Sequence, residues 1–113
     1  MNEVDLVLIG VARRQHQVFS RAQAREAGLT PSVLAKRLAR GSLVAAGPHT
    51  LHFPGVTLTY HGRLRAGLLD LGPEALIGGR AAAHLLGLDG FPAGPHEFVV
   101  PRNLRNRTTV GTV

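Results

Sequence analysis

Between Arg13 and Arg40 the sequence places Arg13, Arg14, Arg21, Arg25, Lys36, Arg37 and Arg40 against a single acid, Glu26. That local excess of six positive charges equals the formal net charge of +6 carried by all 113 residues. Guanidinium and ammonium groups gathered on one segment bind phosphate oxygens, and they read guanine O6 and N7 where a helix carries them into a groove. Twelve of the 13 bases are arginine, with Lys36 the sole lysine. A genome-wide bias toward arginine codons would spread those residues along the chain, whereas their concentration argues for recognition of a polyanion. Two duller readings compete with it: a solvated helical face that binds nothing, and a fold of the same kind used only for protein contacts.

The elements that must position these bases are legible nearby. In NEVDLVLIGVARRQHQ, Val4, Val7, Leu8, Val11 and Ala12 recur at helical spacing, one stripe of an amphipathic helix. Leu6 and Ile9 fall off the stripe, and packing on a second intramolecular layer is expected in preference to a partner subunit. Ser20 precedes Arg21-Ala22-Gln23 in the capping-box pattern, which starts a short helix running to about Ala27 and ended by Gly28. Thr30-Pro31 restarts the chain with a capping hydroxyl and a proline at the first helical position, and this third helix should end near Gly41. From Leu43 to Phe53 the chain reads as two short strands joined by a Gly-Pro turn. Three helices followed by a hairpin form a winged helix-turn-helix.

At 100° per residue, Leu34 and Leu38 define the buried side of the helix that starts at Pro31. The opposite side carries Ser32, Lys36, Ala39 and Arg40, with Ala35 beside them, so bases alternate with small residues that permit close approach. Its length of about 15 Å suits a major groove about 12 Å wide. Lys36 and Arg40 are the candidates for base edges, with Ser32 able to reach base or phosphate and Thr30, at the helix start, counted among the DNA-binding residues. Arg37 sits on the flank, where a side chain meets phosphate, so Arg37→Ala should weaken specific and non-specific binding alike. Ser20 and Arg21 open the preceding helix, which in this motif crosses the DNA backbone and can offer amides to a phosphate.

Pro54-Gly55 reads as a boundary. Beyond it Leu64, Leu68 and Leu71 share one helical face, Ala81, Ala82, Leu85 and Leu88 share another, and Phe98-Val99-Val100 and 108–113 read as strands. The expected fold is α+β and mostly α: a winged helix-turn-helix over 1–55, then a C-terminal α/β segment over 56–113, a small helical unit with a β-hairpin. The last strand reaches the terminus without a stop, which suggests the start of a longer domain. Arg102, Arg105 and Arg107 form a second basic cluster, read either as an exposed loop or as a second nucleic-acid or partner surface.

Other chemistries find little support. Cysteine is absent, which excludes disulfides and cysteine-bound zinc, and aromatics make up 4%, too few for a base-stacking surface. His49 and His52 with His61 suggest zinc only superficially, because strand positions three apart face opposite ways, so no metal and no cofactor is expected. His84 reads as a packed, hydrogen-bonded histidine, and Gly78-Gly79 as a turn and cap. The seven acids are scattered and Lys36 lies on the groove helix, so a carboxylate-metal nuclease centre is not expected. The apolar run from Val4 to Ala12 is too short to span a bilayer, and its flanking charges run opposite to a signal peptide, which points to the cytoplasm.

The blocks RAQAREAGLTPSVLAKRLARGSL, GGRAAAHLLGLDGF and HEFVVPR, in this order and with a small hairpin after the first, resemble the AbiEi-type antitoxins of type IV toxin–antitoxin systems, especially actinobacterial ones. The likeness covers about Val11 to Arg102. It implies a winged helix that binds inverted repeats in its own promoter as an autorepressor, as a homodimer where the operator is palindromic. It further implies a nucleotidyltransferase-type toxin that is counteracted without a stable complex, and it ties the C-terminal part, here with Arg102, Arg105 and Arg107, to neutralisation. Many relatives carry a further domain similar to very-short-patch-repair endonucleases, so the chain could alternatively be the DNA-specificity portion of such a protein. This sequence departs from the pattern at the wing, where Val44-Ala45-Ala46 is neutral and only His49 and His52 are left to hydrogen-bond phosphate.

Overall fold

The computed structural model describes residues 2–87, 93–101, 103 and 109. Leu88, Arg102, Arg105 and Arg107 lie outside the described residues, as does the strand expected over 108–113 apart from Thr109. The chain is a small α+β protein with five helices and two small antiparallel sheets among the described residues.

Helix α1, Glu3–Arg14, begins where the Asn2 side chain accepts the Asp5 amide at 2.9 Å. Glu3 and Asp5 in its first turn and Arg13 and Arg14 in its last complement the helix dipole. Leu8 and Ala12 are buried, and Val4 and Val11 pack beside them. Two expectations fail here. Val7, at the edge of the stripe, is 50% exposed, and Leu6 is 59% exposed and does not pack on an intramolecular layer. The core takes a narrower face of α1 than the sequence offers.

Strand β1, Phe19–Ser20, follows a turn at His16 and Gln17, both with positive φ. Helices α2, Arg21–Glu26, and α3, Pro31–Arg40, come next, then β2, Val44–Ala45, and β3, Thr50–His52. The strands form one antiparallel sheet in the order β1-β3-β2, with Phe19 opposite Leu51 and Val44 opposite His52. No sequence pattern announces β1: two residues are too few for periodicity, and its pairing depends on β3, some thirty residues away. Leu8, Ala12, Phe19, Ala24, Leu29, Leu34, Leu43 and Leu51 close a first core between these helices and the sheet.

Helix α4, Tyr60–Leu71, starts where the Thr59 hydroxyl accepts the Gly62 amide at 3.0 Å. It packs against β1 and β3, so contacts cross Pro54-Gly55. Strand β4, Leu76–Ile77, pairs antiparallel with β5, Phe98–Val99, and helix α5, Gly79–Leu85, lies between them in the chain with Gly78 as its cap. Leu64, Leu71, Ala75, Ala81 and Phe98 form a second core, with Leu68 and Leu85 against it. The shared face expected of Leu64, Leu68 and Leu71 is thus the buried one.

At the edge of this second core the Tyr60 ring lies 4.6 Å from the His96 ring and meets the His84 ring edge-on at 5.3 Å. Burial, reinforced by the Arg63 charge, lowers the His96 pKa against a smaller opposing effect of the Tyr60 backbone. The unfolded chain therefore takes up this proton before the folded one does as pH falls below the ordinary value of 6.5. Stability should decline with falling pH through that window, and His96→Gln should flatten the decline, as thermal melts between about pH 7 and about pH 5 would register.

Candidate nucleic-acid interface

Helix α3 presents the basic face. The Thr30 hydroxyl accepts the Val33 amide at 3.3 Å, Pro31 occupies the first turn, and Gly41 ends the helix at φ +75, a left-handed backbone that costs glycine little. Leu34 is buried and Leu38 half-buried, so the opposite side faces solvent, and Ser32, Ala35, Lys36, Ala39 and Arg40 are all exposed. Lys36 and Arg40 have no ion-pair partner among the described residues.

Arg37 differs from the other two bases. It is half-buried, and its guanidinium forms an ion pair with Asp5 of α1 instead of standing free on the flank. The hydrogen bond and charge of Arg37 hold the Asp5 carboxyl below the ordinary value of 3.8, outweighing the effect of burial. A depressed carboxylate pKa contributes stability that is complete above its unfolded value and is lost as pH falls through the lower folded value. Asp5→Asn should therefore lower the melting temperature at neutral pH and make the variant less acid-sensitive than the parent below about pH 4.

The start of α2 and the β2–β3 hairpin meet at a second place. Ser20 and Gln23 form the expected capping box: the Gln23 amide donates to the Ser20 hydroxyl at 3.0 Å, and the Ser20 amide donates to Gln23 Oε1 at 2.9 Å. Gln23 also exchanges two amide hydrogen bonds with Gln15, each 2.9 Å, which fixes α2 to the end of α1. The Arg21 amide donates to the His49 carbonyl at 2.9 Å, and Arg21 Nε donates to the Pro48 carbonyl at 3.2 Å. Arg21 thus binds the hairpin turn, and the amides of Arg21 and Gln23 are committed within the protein instead of being offered to a phosphate. His49 is exposed at the turn.

What steers that turn is Asp70, a residue that the sequence pattern does not single out. It is 4% exposed, and its carboxylate accepts the His49 amide at 2.8 Å, the Thr50 hydroxyl at 3.2 Å and the Thr109 hydroxyl at 2.7 Å. Gly47 is required beside it, because a Cβ there would fall on the carboxylate. The one signal in the sequence is an acid embedded among the leucines of an apolar helix, a position that burial penalises unless hydrogen bonds compensate. The Asp5–Arg37 pair gives no such signal, since the two residues are distant in the chain.

The structure therefore brings Ser20, Arg21 and His49 together around the hairpin, and sets Ser32, Lys36 and Arg40 along one face of α3, with Thr30 at its start. No protein-family model, curated protein or solved structure matches the chain. Among the described residues no three His, Asp or Glu side chains gather in a way that could hold a metal ion. His52 Nδ1 lies 2.7 Å from the Phe53 carbonyl. No helix of the described residues is long and apolar enough to cross a membrane.

Proposed function

We propose that this chain is a sequence-reading DNA-binding regulator that inserts α3 into the major groove, with Lys36 and Arg40 on base edges and Ser32 near the helix start. The observation that carries the reading is the exposed face of α3, on which two bases without an ion-pair partner among the described residues alternate with alanines while Leu34 anchors the other side. The element order α1-β1-α2-α3-β2-β3 with sheet order β1-β3-β2 suits a winged helix-turn-helix. In that arrangement the β2–β3 hairpin is the wing and brings His49 toward phosphate.

Together with the sequence blocks that resemble AbiEi-type antitoxins, this supports a more specific proposal. The chain is an antitoxin-like autorepressor acting in the cytoplasm on inverted repeats of its own promoter, as a homodimer on a palindromic site. Its functional counterpart is a nucleotidyltransferase-type toxin, countered without a stable complex.

Titration against the chain's own upstream duplex and a scrambled duplex, each at two salt concentrations, tests the proposal. The expected result is tight binding to the upstream duplex that weakens with salt, and much poorer binding to the scrambled one. Equal affinity for both would reduce the basic face to a generic polyanion surface, and no binding would sink the reading.

A further inference from the structure

A cleft of about 930 Å³ opens between α1, α3 and the segment that leaves β3. Ile9, Phe53 and Pro54 give it apolar walls, and Arg13, Arg37 and Arg40 give it charge. Asp5 also lines it, but that carboxylate is neutralised by Arg37. Arg13 and Arg40 are exposed and have no ion-pair partner among the described residues, so two arginines without a carboxylate partner line the cleft together with its apolar walls. Ile9 is half-buried without belonging to the packed core, which leaves its side chain available to an occupant.

We propose that this cleft is a binding site for a small amphipathic organic anion, with an aryl or acyl body on Ile9 and Phe53 and a carboxylate, sulfonate or phosphate held by Arg13 and Arg40. The volume falls within the range of small-molecule sites, which combine an apolar lining with a few polar groups that fix orientation. Guanidinium groups bind such anions through charge-assisted, often bidentate hydrogen bonds. A metal cation is repelled by the free arginines. A neutral apolar molecule leaves them unused, and a duplex backbone presents phosphate without an apolar body to fill the floor. The proposal stands apart from the DNA reading, because it is tested with no duplex present. Arg40 belongs to both surfaces.

The test is a fluorescence titration of the full chain with 8-anilinonaphthalene-1-sulfonate, an aryl body bearing one sulfonate. Saturable binding at one probe per chain is expected, with Arg13→Ala and Arg40→Ala each raising Kd about tenfold, the loss of one charged hydrogen bond. Ile9→Glu should abolish binding by placing a carboxylate in the cleft, while Val7→Glu, on the exposed part of α1 away from the lining, should leave it unchanged. N-phenyl-1-naphthylamine, which has the same rings without the sulfonate, should bind at least about tenfold more weakly. Each variant is checked for a cooperative melt, and the two exposed arginine variants carry the test should Ile9→Glu fail to fold. The proposal is overturned by non-saturable binding, by loss with Val7→Glu instead of the cleft variants, by unchanged affinity in both arginine variants, or by equal affinity for the neutral probe.

Discussion

Alanine at Lys36 and at Arg40 is expected to cost about 1–3 kcal/mol each in binding to the upstream duplex, with much smaller losses on scrambled DNA. The difference between the two substrates is the informative quantity. A side chain on a base edge contributes to discrimination, whereas one on phosphate lowers affinity for every sequence and reduces the salt slope by about one. Both residues are exposed, and neither holds the fold together through an ion pair among the described residues, so the variants should melt like the parent. Arg37→Ala should behave differently from either. Its guanidinium is committed to Asp5, so its signature is a lower melting temperature and not the equal loss of specific and non-specific binding expected from the sequence. Equal losses on both duplexes for Lys36→Ala and Arg40→Ala would remove these residues from base reading.

Asp70→Ala is expected to destabilise the protein by about 2–4 kcal/mol, and it acts on the hairpin from outside it. The substitution strips the acceptor from the part-buried His49 amide and Thr109 hydroxyl and from the buried Thr50 hydroxyl, and a buried group left without a partner costs about 1–3 kcal/mol. Thr50 is fully buried, so water cannot easily replace the lost bond. Amide exchange should report the same event locally: the His49 amide should lose protection in Asp70→Ala while the amides of α1 keep theirs relative to global stability. Asp70→Asn retains an acceptor oxygen and should recover part of the loss. A melting temperature unchanged in Asp70→Ala would show that the carboxylate does not organise the turn.

The residues behind these two expectations differ in how far the chain order reveals them. The face of α3 is legible from the amino-acid sequence, because Leu34 and Leu38 fix the rotation of the helix and the remaining positions follow from 3.6 residues per turn. The role of Asp70 is not. It reads only as an acid on an apolar helix until α4 packs against β3 and brings its carboxylate beside His49 and Thr50. Arg37 shows the same limit within α3 itself. Its place on the flank is a property of the helix, but whether it faces solvent or Asp5 depends on how α1 crosses α3.

The starts and stops of α2 and α3 and the basic face of α3 are therefore encoded locally. Caps, prolines, glycines and apolar spacing act through bonds and contacts a few residues apart, and these are written in order along the chain. Tertiary packing settles the rest: that β1 exists, that Leu6 and Val7 remain exposed, that Arg37 and not Lys36 or Arg40 is ion-paired among the described residues, and that a cleft with apolar walls is lined by Arg13 and Arg40. Each of these depends on residues brought together from distant parts of the chain. Such contacts form only when the whole core closes, and no local pattern encodes them.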